Sequence, residues 1–244
     1  MLHDQGSLGP AYFAVTDRLG GMSGPPYDAT NLGDHVGDDP AAVTANRELL
    51  AGEIGVDPRA LAFMRQVHGR DVAVVDGSPA ATTPAADALV TANREVALVV
   101  LVADCVPVLL AAPGPAGPVL GVAHAGRNGV QAGVVAATVD AMRGLGARVE
   151  AGQARVGPAV CGRCYEVPAA LQAEVATVAP AAASTTRDGT PALDLPRAVL
   201  AQLLSAGLRD LAHDETCTLE EPTLYSHRRD AATGRFGGVV WVPA

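Results

Sequence analysis

The chain has 244 residues, 49% of them hydrophobic and 18% charged, which is enough apolar sequence to bury a core and excludes a disordered chain. Its formal net charge of −9 disfavours a broad nucleic-acid-binding face, because affinity for the phosphate backbone comes mainly from basic side chains. The sequence contains no lysine, so an anion site in this protein must use arginine, histidine or backbone N–H groups.

The sequence predicts neither a membrane span nor a disulfide framework. The longest apolar stretch, residues 96–112, is interrupted by Asp104 and Pro107. The first residues lack the basic and apolar regions of a signal peptide, so we expect a cytoplasmic protein without a membrane partner. The four cysteines are scattered, and Cys161 and Cys164 form a lone Cys-x-x-Cys for which metal-related, redox and incidental interpretations all stay open.

Apolar patterns and turn signals predict a chain of alternating strands and helices. The predicted strands cover residues 11–16, 61–67, 71–75, 96–103, 106–112, a segment leading to His124, 154–157 and 236–242. The predicted helices cover residues 40–53, 130–143, 168–178 and 196–206, the first of them started by Asp39-Pro40. We expect residues 61–75 to form a hairpin around residues 68–70, and Asp104-Cys105 to lie at a bulge or sharp bend. Without repeats or a linker, the expected fold class is α/β (α+β), a single domain over residues 1–244 with mixed sheets flanked by helices.

Two imidazoles and one thiol stand where apolar runs give way to glycine or polar residues. They are His68, Cys105 and His124. Ligands and catalytic groups often gather on loops at strand ends, so the three together indicate an enzyme site. Two interpretations stay open on residue type alone: a three-ligand zinc site with one open position, or a Cys/His nucleophile pair.

Polar residues near these positions are further candidates. Asp104 precedes Cys105 in an apolar run, where it would orient an imidazole, carry a proton or satisfy a bulged backbone. The loop that begins at Asn31 runs into a helix N-terminus, and Arg47 on that helix could point back to an anion there. Arg228 lies in a basic cluster suited to phosphate, although each arginine has an equally simple role as a solvated or ion-paired surface residue.

The ordered motifs resemble those of the laccase-domain, or YfiH-like, family over essentially the whole chain. The matching stretches are residues 31–38, Arg65-Gln66-Val67-His68-Gly69, residues 86–90, Ala103-Asp104-Cys105-Val106-Pro107-Val108, His124-Ala125-Gly126, Val156-Gly157-Pro158, Cys164-Tyr165-Glu166-Val167, Ser226-His227-Arg228-Arg229-Asp230 and Thr233-Gly234-Arg235. The resemblance implies a YfiH-like sandwich fold with His68, Cys105 and His124 as zinc ligands. The chain departs from the family pattern after His124-Ala125-Gly126. The family commonly has Trp-Arg-Gly there, whereas this chain has Arg127-Asn128-Gly129, so the arginine is moved by one position and the indole is absent. The cysteine at position 161 is also displaced from the usual pattern, and we do not expect it to be catalytic.

The resemblance implies a zinc-dependent purine nucleoside phosphorylase acting on adenosine, inosine, guanosine and methylthioadenosine, with adenosine deaminase activity in addition. The expected catalytic residues are His68, Asp104, Cys105 and His124. The expected residues for substrate or phosphate are Asn31, Arg47, Gln66, Arg127 and Arg228. The expected partners are small molecules only, and the protein is expected to be a monomer or at most a weak dimer.

Three other functions compete with this one. The first is an amidase-type hydrolase that edits muramyl peptidoglycan precursors. The second is a copper polyphenol oxidase, disfavoured because multicopper chemistry needs more than the six histidines present. The third is a binding protein of the cell-division or envelope machinery with a vestigial site, against which the intact ligand set argues.

Overall fold

The computed structural model describes residues 1–77 and 83–243. In chain order the strands are β1 (Leu2–Leu8), β2 (Ala11–Thr16), β3 (Leu61–Ala62), β4 (Val72–Val74), β5 (Ala88–Thr91), β6 (Ala97–Val102), β7 (Val106–Pro113), β8 (Pro118–Ala125), β9 (Gln153–Val156), β10 (Ala183–Thr185), β11 (Pro191–Leu193), β12 (Asp210–His213) and β13 (Phe236–Trp241). The α-helices are α1 (Pro40–Ile54), α2 (Arg127–Ala132), α3 (Val134–Gly144), α4 (Ala169–Val178), α5 (Leu195–Ser205) and α6 (His227–Asp230). Across these described residues, no helix has the length and apolar character that crossing a membrane requires.

Two mixed sheets form the framework. The first has the order β1-β2-β13-β6-β3, in which β3 runs parallel to β6 and the other neighbours are antiparallel. The second has the order β12-β9-β7-β8-β5-β4, with a parallel pair at each edge and antiparallel pairs between them. The expected α/β architecture of mixed sheets flanked by helices is confirmed.

The alternation of side chains along the strands explains how the layers stack. In β6, Leu98 and Val100 join the apolar cluster between the two sheets, whereas Val99 and Leu101 join the cluster that includes residues of α1. The other face of the second sheet packs through Val108 on α3 and α5. Both sheets are therefore covered on both faces, which gives a helix–sheet–sheet–helix sandwich and explains the long apolar runs in the sequence.

The first helix forms as its sequence signals predict. The Asp39 side chain accepts a hydrogen bond from the Ala41 N–H at 2.9 Å, and Pro40 occupies the first turn. The helix ends at Gly55, whose φ of 71° is a left-handed conformation that glycine adopts without strain.

The predicted hairpin over residues 61–75 is wrong. β3 pairs with β6 in the first sheet, whereas β4 pairs with β5 in the second. The connecting segment, which contains His68, therefore crosses from one sheet to the other. The same happens between β6 and β7, because β6 belongs to the first sheet and β7 to the second.

Other differences concern short or irregular elements. Strand β1 precedes the first predicted strand, and the predicted helix over residues 130–143 is two helices separated at Gly133, which has a φ of 85°. Strands β5, β10, β11 and β12 and helix α6 were not predicted, because segments of three or four residues carry too little periodicity to stand out.

Candidate metal centre and its pocket

The three predicted ligands meet where the chain passes between the two sheets. His68 lies in the crossing segment after β3, Cys105 lies between β6 and β7, and His124 is the penultimate residue of β8. One ligand atom from each residue lies within 4.8 Å of the other two. Residues that are 37 and 19 positions apart in the chain thus form one compact group that could hold a metal ion.

Two residues at or next to the predicted ligands have a left-handed backbone conformation, which is uncommon outside glycine. His68 has a φ of 60°, and Asp104, next to Cys105, has a φ of 86°. Such conformations cost about 1–3 kcal/mol each and persist where surrounding contacts over-determine them. The sharp bend predicted at Asp104-Cys105 is confirmed, and it turns Cys105 toward the two histidines.

Asp87 is the residue that organises the centre. Its carboxylate is fully buried and accepts hydrogen bonds from the N–H groups of His68 at 2.9 Å and Gly69 at 2.7 Å. The Nδ1 atom of His124 lies 2.9 Å from the same carboxylate. If Nδ1–H donates to Asp87, the Nε2 atom of His124 is left with its lone pair for a metal, the arrangement that fixes ligand imidazoles in metalloproteins.

Asp87 is a residue of the centre that was not predicted from the sequence. The signal was present, since a single carboxylate stands inside the apolar run of residues 86–90, where an unpaired charge would be costly. Burial tends to raise the pKa of this carboxyl, but His124 and the Gly69 and His68 N–H groups outweigh it and lower the pKa of Asp87. The lowered pKa favours the carboxylate form of Asp87, which accepts the hydrogen bonds from the backbone N–H groups of the loop that carries His68.

The thiol and the buried imidazole shift each other's protonation. Burial opposes ionisation of the Cys105 thiol, but His124 and His68 outweigh it and lower the pKa of Cys105 to about 6. Burial likewise favours neutral imidazole, but Cys105 and Asp87 outweigh it and raise the pKa of His124 to about 9. Without a metal, the centre therefore favours a thiolate beside an imidazolium, and a cation that binds there must displace the imidazolium proton.

The donor set fits a zinc ion. Thiolate and imidazole are ordinary zinc ligands, and three protein ligands with one open position are typical of catalytic zinc. The rings of His68 and His124 meet edge to face, with centroids 4.8 Å apart and planes inclined at 84°. His68 is exposed whereas His124 is only 3% exposed, so the open side of the ligand set faces solvent.

A pocket of about 320 Å³ opens beside Cys105. Its lining residues are Ala103, Asp104, Cys105, Arg127, Val160, Tyr165, Leu195, His227 and Arg228. The guanidinium carbon of Arg228 lies 4.6 Å from the centre of the Tyr165 ring, and the Arg228 Nη1 donates to the carbonyl oxygen of Glu166 at 3.1 Å. The pocket thus combines two arginines and an aromatic face with the thiol of the metal centre.

The structure brings Asp104, Arg127 and Arg228 into this pocket with Cys105, although the carboxylate of Asp104 is already engaged. Its Oδ1 accepts from the hydroxyl of Thr218 at 2.7 Å, and its Oδ2 accepts from the backbone N–H of Arg228 at 2.7 Å. Arg127 lies on the first turn of α2, where its Nη1 donates to the side chain of Gln131 at 3.1 Å. Asp104 therefore orients the segment that carries Arg228.

Gln66 and Arg47, two further predicted site residues, do not line this pocket. Both ends of the Gln66 amide bond to the backbone of Leu101, at 2.7 and 2.9 Å. Arg47 donates to the carbonyl oxygen of Leu32, and its guanidinium carbon lies 3.9 Å from the centre of the Phe63 ring. Both residues line a separate depression of about 310 Å³.

Asn31 holds two segments of chain together. Its side-chain oxygen accepts from the N–H groups of Gly33 at 2.9 Å and Arg235 at 2.8 Å, and its amide donates to Asp38 at 2.8 Å. Arg235 belongs to the Thr233-Gly234-Arg235 motif, and the sequence did not predict its contact with Asn31. Burial lowers the pKa of Arg235, against the opposing influence of Cys105 and Asp104.

Sequence comparison identifies relatives that span the whole chain. The sequence model of a family described as multi-copper polyphenol oxidoreductase laccase matches residues 12–243. A Streptomyces griseus protein named purine nucleoside phosphorylase ORF3 is 55% identical over 236 residues, which are 96% of this chain and 95% of that protein. Purine nucleoside phosphorylase SCO2081 of Streptomyces coelicolor is 54% identical over 243 residues, covering 99% and 100% of the two chains.

Solved structures share the fold. The Bacillus licheniformis hypothetical protein YfiH superposes with a TM-score of 0.87 at 28% identity, covering 96% of this chain and 94% of its own. YlmD from Geobacillus stearothermophilus gives a TM-score of 0.86 at 32% identity, covering 96% and 93%. With a family match across nearly its whole length and relatives above half identity, the chain belongs to the laccase-like family that includes YfiH.

Proposed function

We propose that this protein is a zinc-dependent purine nucleoside phosphorylase that works as a single domain over residues 1–244. The main support for the proposal is that Cys105 belongs both to the group of two histidines and one thiol and to the lining of a pocket that contains two arginines. The names of the relatives at 55% and 54% identity point to the same reaction. A nucleoside and a phosphate, both small molecules, are the partners that a pocket of about 320 Å³ suits.

Phosphorolysis requires phosphate to be held against the ribose carbon that loses the base. Arg127 and Arg228 are the guanidinium groups that line the pocket, and guanidinium offers a fork of donors that matches phosphate oxygens. Arg228 is already stacked on Tyr165 and donates to Glu166, so its position is set before substrate arrives. We assign Arg228 the main phosphate contact and Arg127 a supporting one.

The purine would lie toward the centre. His68, Cys105 and His124 would hold the zinc, which when bound supplies a Lewis acid that polarises an atom of the substrate or a water molecule. Asp87 keeps His124 and the loop of His68 oriented for that task. Tyr165, on whose ring Arg228 is stacked, would form part of the pocket wall beside the nucleoside. Asn31, Arg47 and Gln66 would instead hold neighbouring segments of the chain in place, because their polar atoms are bonded to backbone or to Asp38.

Adenosine deamination is a second activity that the same pocket could support. The reaction needs an activated water and a proton carrier, and Asp104 lies beside Cys105 on the pocket wall. Because both of its oxygens already accept hydrogen bonds, one bond would have to open for proton transfer. Asp104→Asn should therefore reduce deamination more than phosphorolysis, and equal losses would reassign Asp104 to positioning alone.

The decisive experiment is a product assay on metal-loaded protein. Adenosine with phosphate should give adenine and ribose 1-phosphate, and His68→Ala should abolish turnover. The matched control is His213→Ala, which removes an imidazole from β12, away from the ligand group. Cleavage of a muramyl precursor without turnover of any purine nucleoside would establish the amidase alternative instead, and stoichiometric copper with phenol oxidation would establish the oxidase.

A further inference from the structure

A second group of metal-ligating side chains lies outside the proposed active site. It consists of Cys161, Cys164, Cys217 and Glu220, and one ligand atom from each lies within 4.8 Å of all the others. We propose that these four residues form a structural zinc site. The inference concerns stability of the fold and does not depend on the reaction proposed above.

Two matching turns build the group. In the first, the N–H groups of Cys164 and Tyr165 donate to the carbonyl oxygen of Cys161 at 2.9 and 3.0 Å. In the second, the N–H groups of Glu220 and Glu221 donate to the carbonyl oxygen of Cys217 at 3.0 and 2.9 Å. Each turn therefore presents two ligands three residues apart, and Cys-x-x-Cys is a short spacing that zinc sites use.

The fold holds the two turns against each other. Ala159 and Cys217 form a parallel bridge, and the N–H of Thr218 donates to the carbonyl oxygen of Ala159 at 3.1 Å. The N–H of Cys161 points at the sulfur of Cys217 at 3.4 Å. The Cys217 sulfur therefore already faces the turn that carries the other two thiols.

The number and kind of ligands favour zinc in a closed site. Three sulfurs and one carboxylate complete a four-coordinate shell without water, which is typical of structural zinc, and soft sulfur ligands disfavour magnesium and calcium. Arg187 offsets the excess negative charge, because its guanidinium forms an ion pair with Glu220 and lies 3.9 Å from the sulfur of Cys164. Binding would release the thiol protons to solvent.

The site would tie together the wall of the neighbouring pocket. Val160, next to Cys161, donates its N–H to the carbonyl oxygen of Asp104 at 3.0 Å, and Thr218, next to Cys217, donates its hydroxyl to the Asp104 carboxylate. A zinc that joins the two turns would therefore limit movement of Asp104 relative to the segments that flank it. Tyr165, which follows Cys164, is itself part of the pocket lining.

Metal stoichiometry tests the proposal. Reduced wild-type protein saturated with zinc and freed of excess metal should retain two equivalents per chain. Cys161→Ser/Cys164→Ser should retain one equivalent, and the matched control Cys105→Ser should lose the other equivalent while keeping the zinc of the second site. One equivalent in the wild type that persists in the double variant would overturn the proposal, as would two equivalents in the double variant.

Cobalt substitution tests the same site without depending on how the double variant folds. Cys105→Ser leaves the three-thiolate group as the sulfur-rich site, so its bound cobalt should show tetrahedral transitions and an intense sulfur-to-cobalt charge-transfer band. Absence of that band from Cys105→Ser would refute the site. So would a Cys161–Cys164 disulfide in protein purified without oxygen, because a disulfide cannot ligate zinc as two thiolates. Neither result bears on phosphorolysis, which is assayed separately.

Discussion

The carboxylate of Asp87 lies 2.9 Å from Nδ1 of His124 and also accepts the N–H of His68, so one buried side chain orients two of the three metal-ligand residues. A group that fixes ligand tautomer and loop position controls metal affinity without touching the metal.

Asp87→Asn should weaken zinc binding at the His68 centre by roughly 10–100-fold, the usual cost of losing such a supporting carboxylate. The amide keeps the shape but carries no charge to hold the His124 proton. A competition titration with a chromogenic chelator measures the change, and Asp71→Asn, an exposed neighbour, serves as the control. Unchanged affinity in Asp87→Asn would remove the organising role assigned to this residue.

Gly126→Ala should disturb the centre by direct contact. A methyl group at position 126 would lie 3.1 Å from the Cys105 sulfur and 3.3 Å from Cδ2 of His68, tighter than ordinary packing. We expect lost metal occupancy and lost turnover with the fold retained, read by metal analysis and circular dichroism. Gly144→Ala, where nothing lies within 4 Å, is the matched control; metal content equal in the two variants would show that the centre has more room than its geometry indicates.

Arg228→Gln should raise the KM for phosphate by roughly 10–100-fold, since a hydrogen bond to a charged group contributes about 1.5–3 kcal/mol. The backbone N–H of residue 228 that bonds Asp104 is retained in this variant. Initial rates at varied phosphate measure the effect. Arg59→Gln, on an exposed turn away from the pocket, should behave as wild type. A change confined to kcat would argue against a phosphate-binding role for Arg228.

Zinc should stabilise metal-free protein. At a free concentration about 100 times the Kd of the His68 centre, binding contributes about 2.7 kcal/mol, which corresponds to a rise in Tm of roughly 5–10 °C for a chain of this size. Thermal unfolding monitored with and without zinc gives the shift. Magnesium, which prefers oxygen ligands, should give none. An equal response to both ions would mean that neither sulfur-containing group is the binding site.

The ion pair between His3 and Asp214 should make stability depend on pH. Their side chains lie 3.0 Å apart, and the hydrogen bond with Asp214 raises the pKa of His3 while the bond with His3 lowers the pKa of Asp214. The contribution of His3 is complete below its unfolded pKa of 6.5 and is lost as pH rises through the folded value. That of Asp214 is present above its unfolded pKa of 3.8 and is lost as pH falls through the lowered folded value.

Asp214→Asn should therefore cost about 1 kcal/mol of unfolding free energy near pH 5.5, discounted for partial exposure, and less near pH 8.5, because the contribution of His3 is lost as pH rises through its raised pKa. Urea denaturation at both pH values measures the difference, with Asp188→Asn as a control on an exposed turn. A loss that is the same at both pH values would assign the effect to the hydrogen bond from the Thr216 N–H and the ion pair with Arg155, and not to His3.

Long elements with strong end signals were predictable. Helix α1 follows from Asp39-Pro40 and Gly55, and the apolar runs of β6, β7 and β8 follow from their burial on both faces. The pairing of strands was harder to predict from the sequence, because an apolar run does not indicate which other strand lies beside it in the sheet. The segments 61–67 and 71–75 looked like a hairpin from proximity in the chain, yet they belong to different sheets.

Residue types alone specify which atoms are available for chemistry: two imidazoles and a thiol beside glycine, arginine as the only strong cation, and one pair of cysteines three residues apart. Which of these groups come into contact depends on the folded chain. It brought Asp87 under His124, moved Arg47 and Gln66 into a separate depression, and placed Cys217 and Glu220 against Cys161 and Cys164. The physical reason is that residue type sets local chemistry, whereas distance between residues far apart in the chain depends on how whole sheets pair and pack.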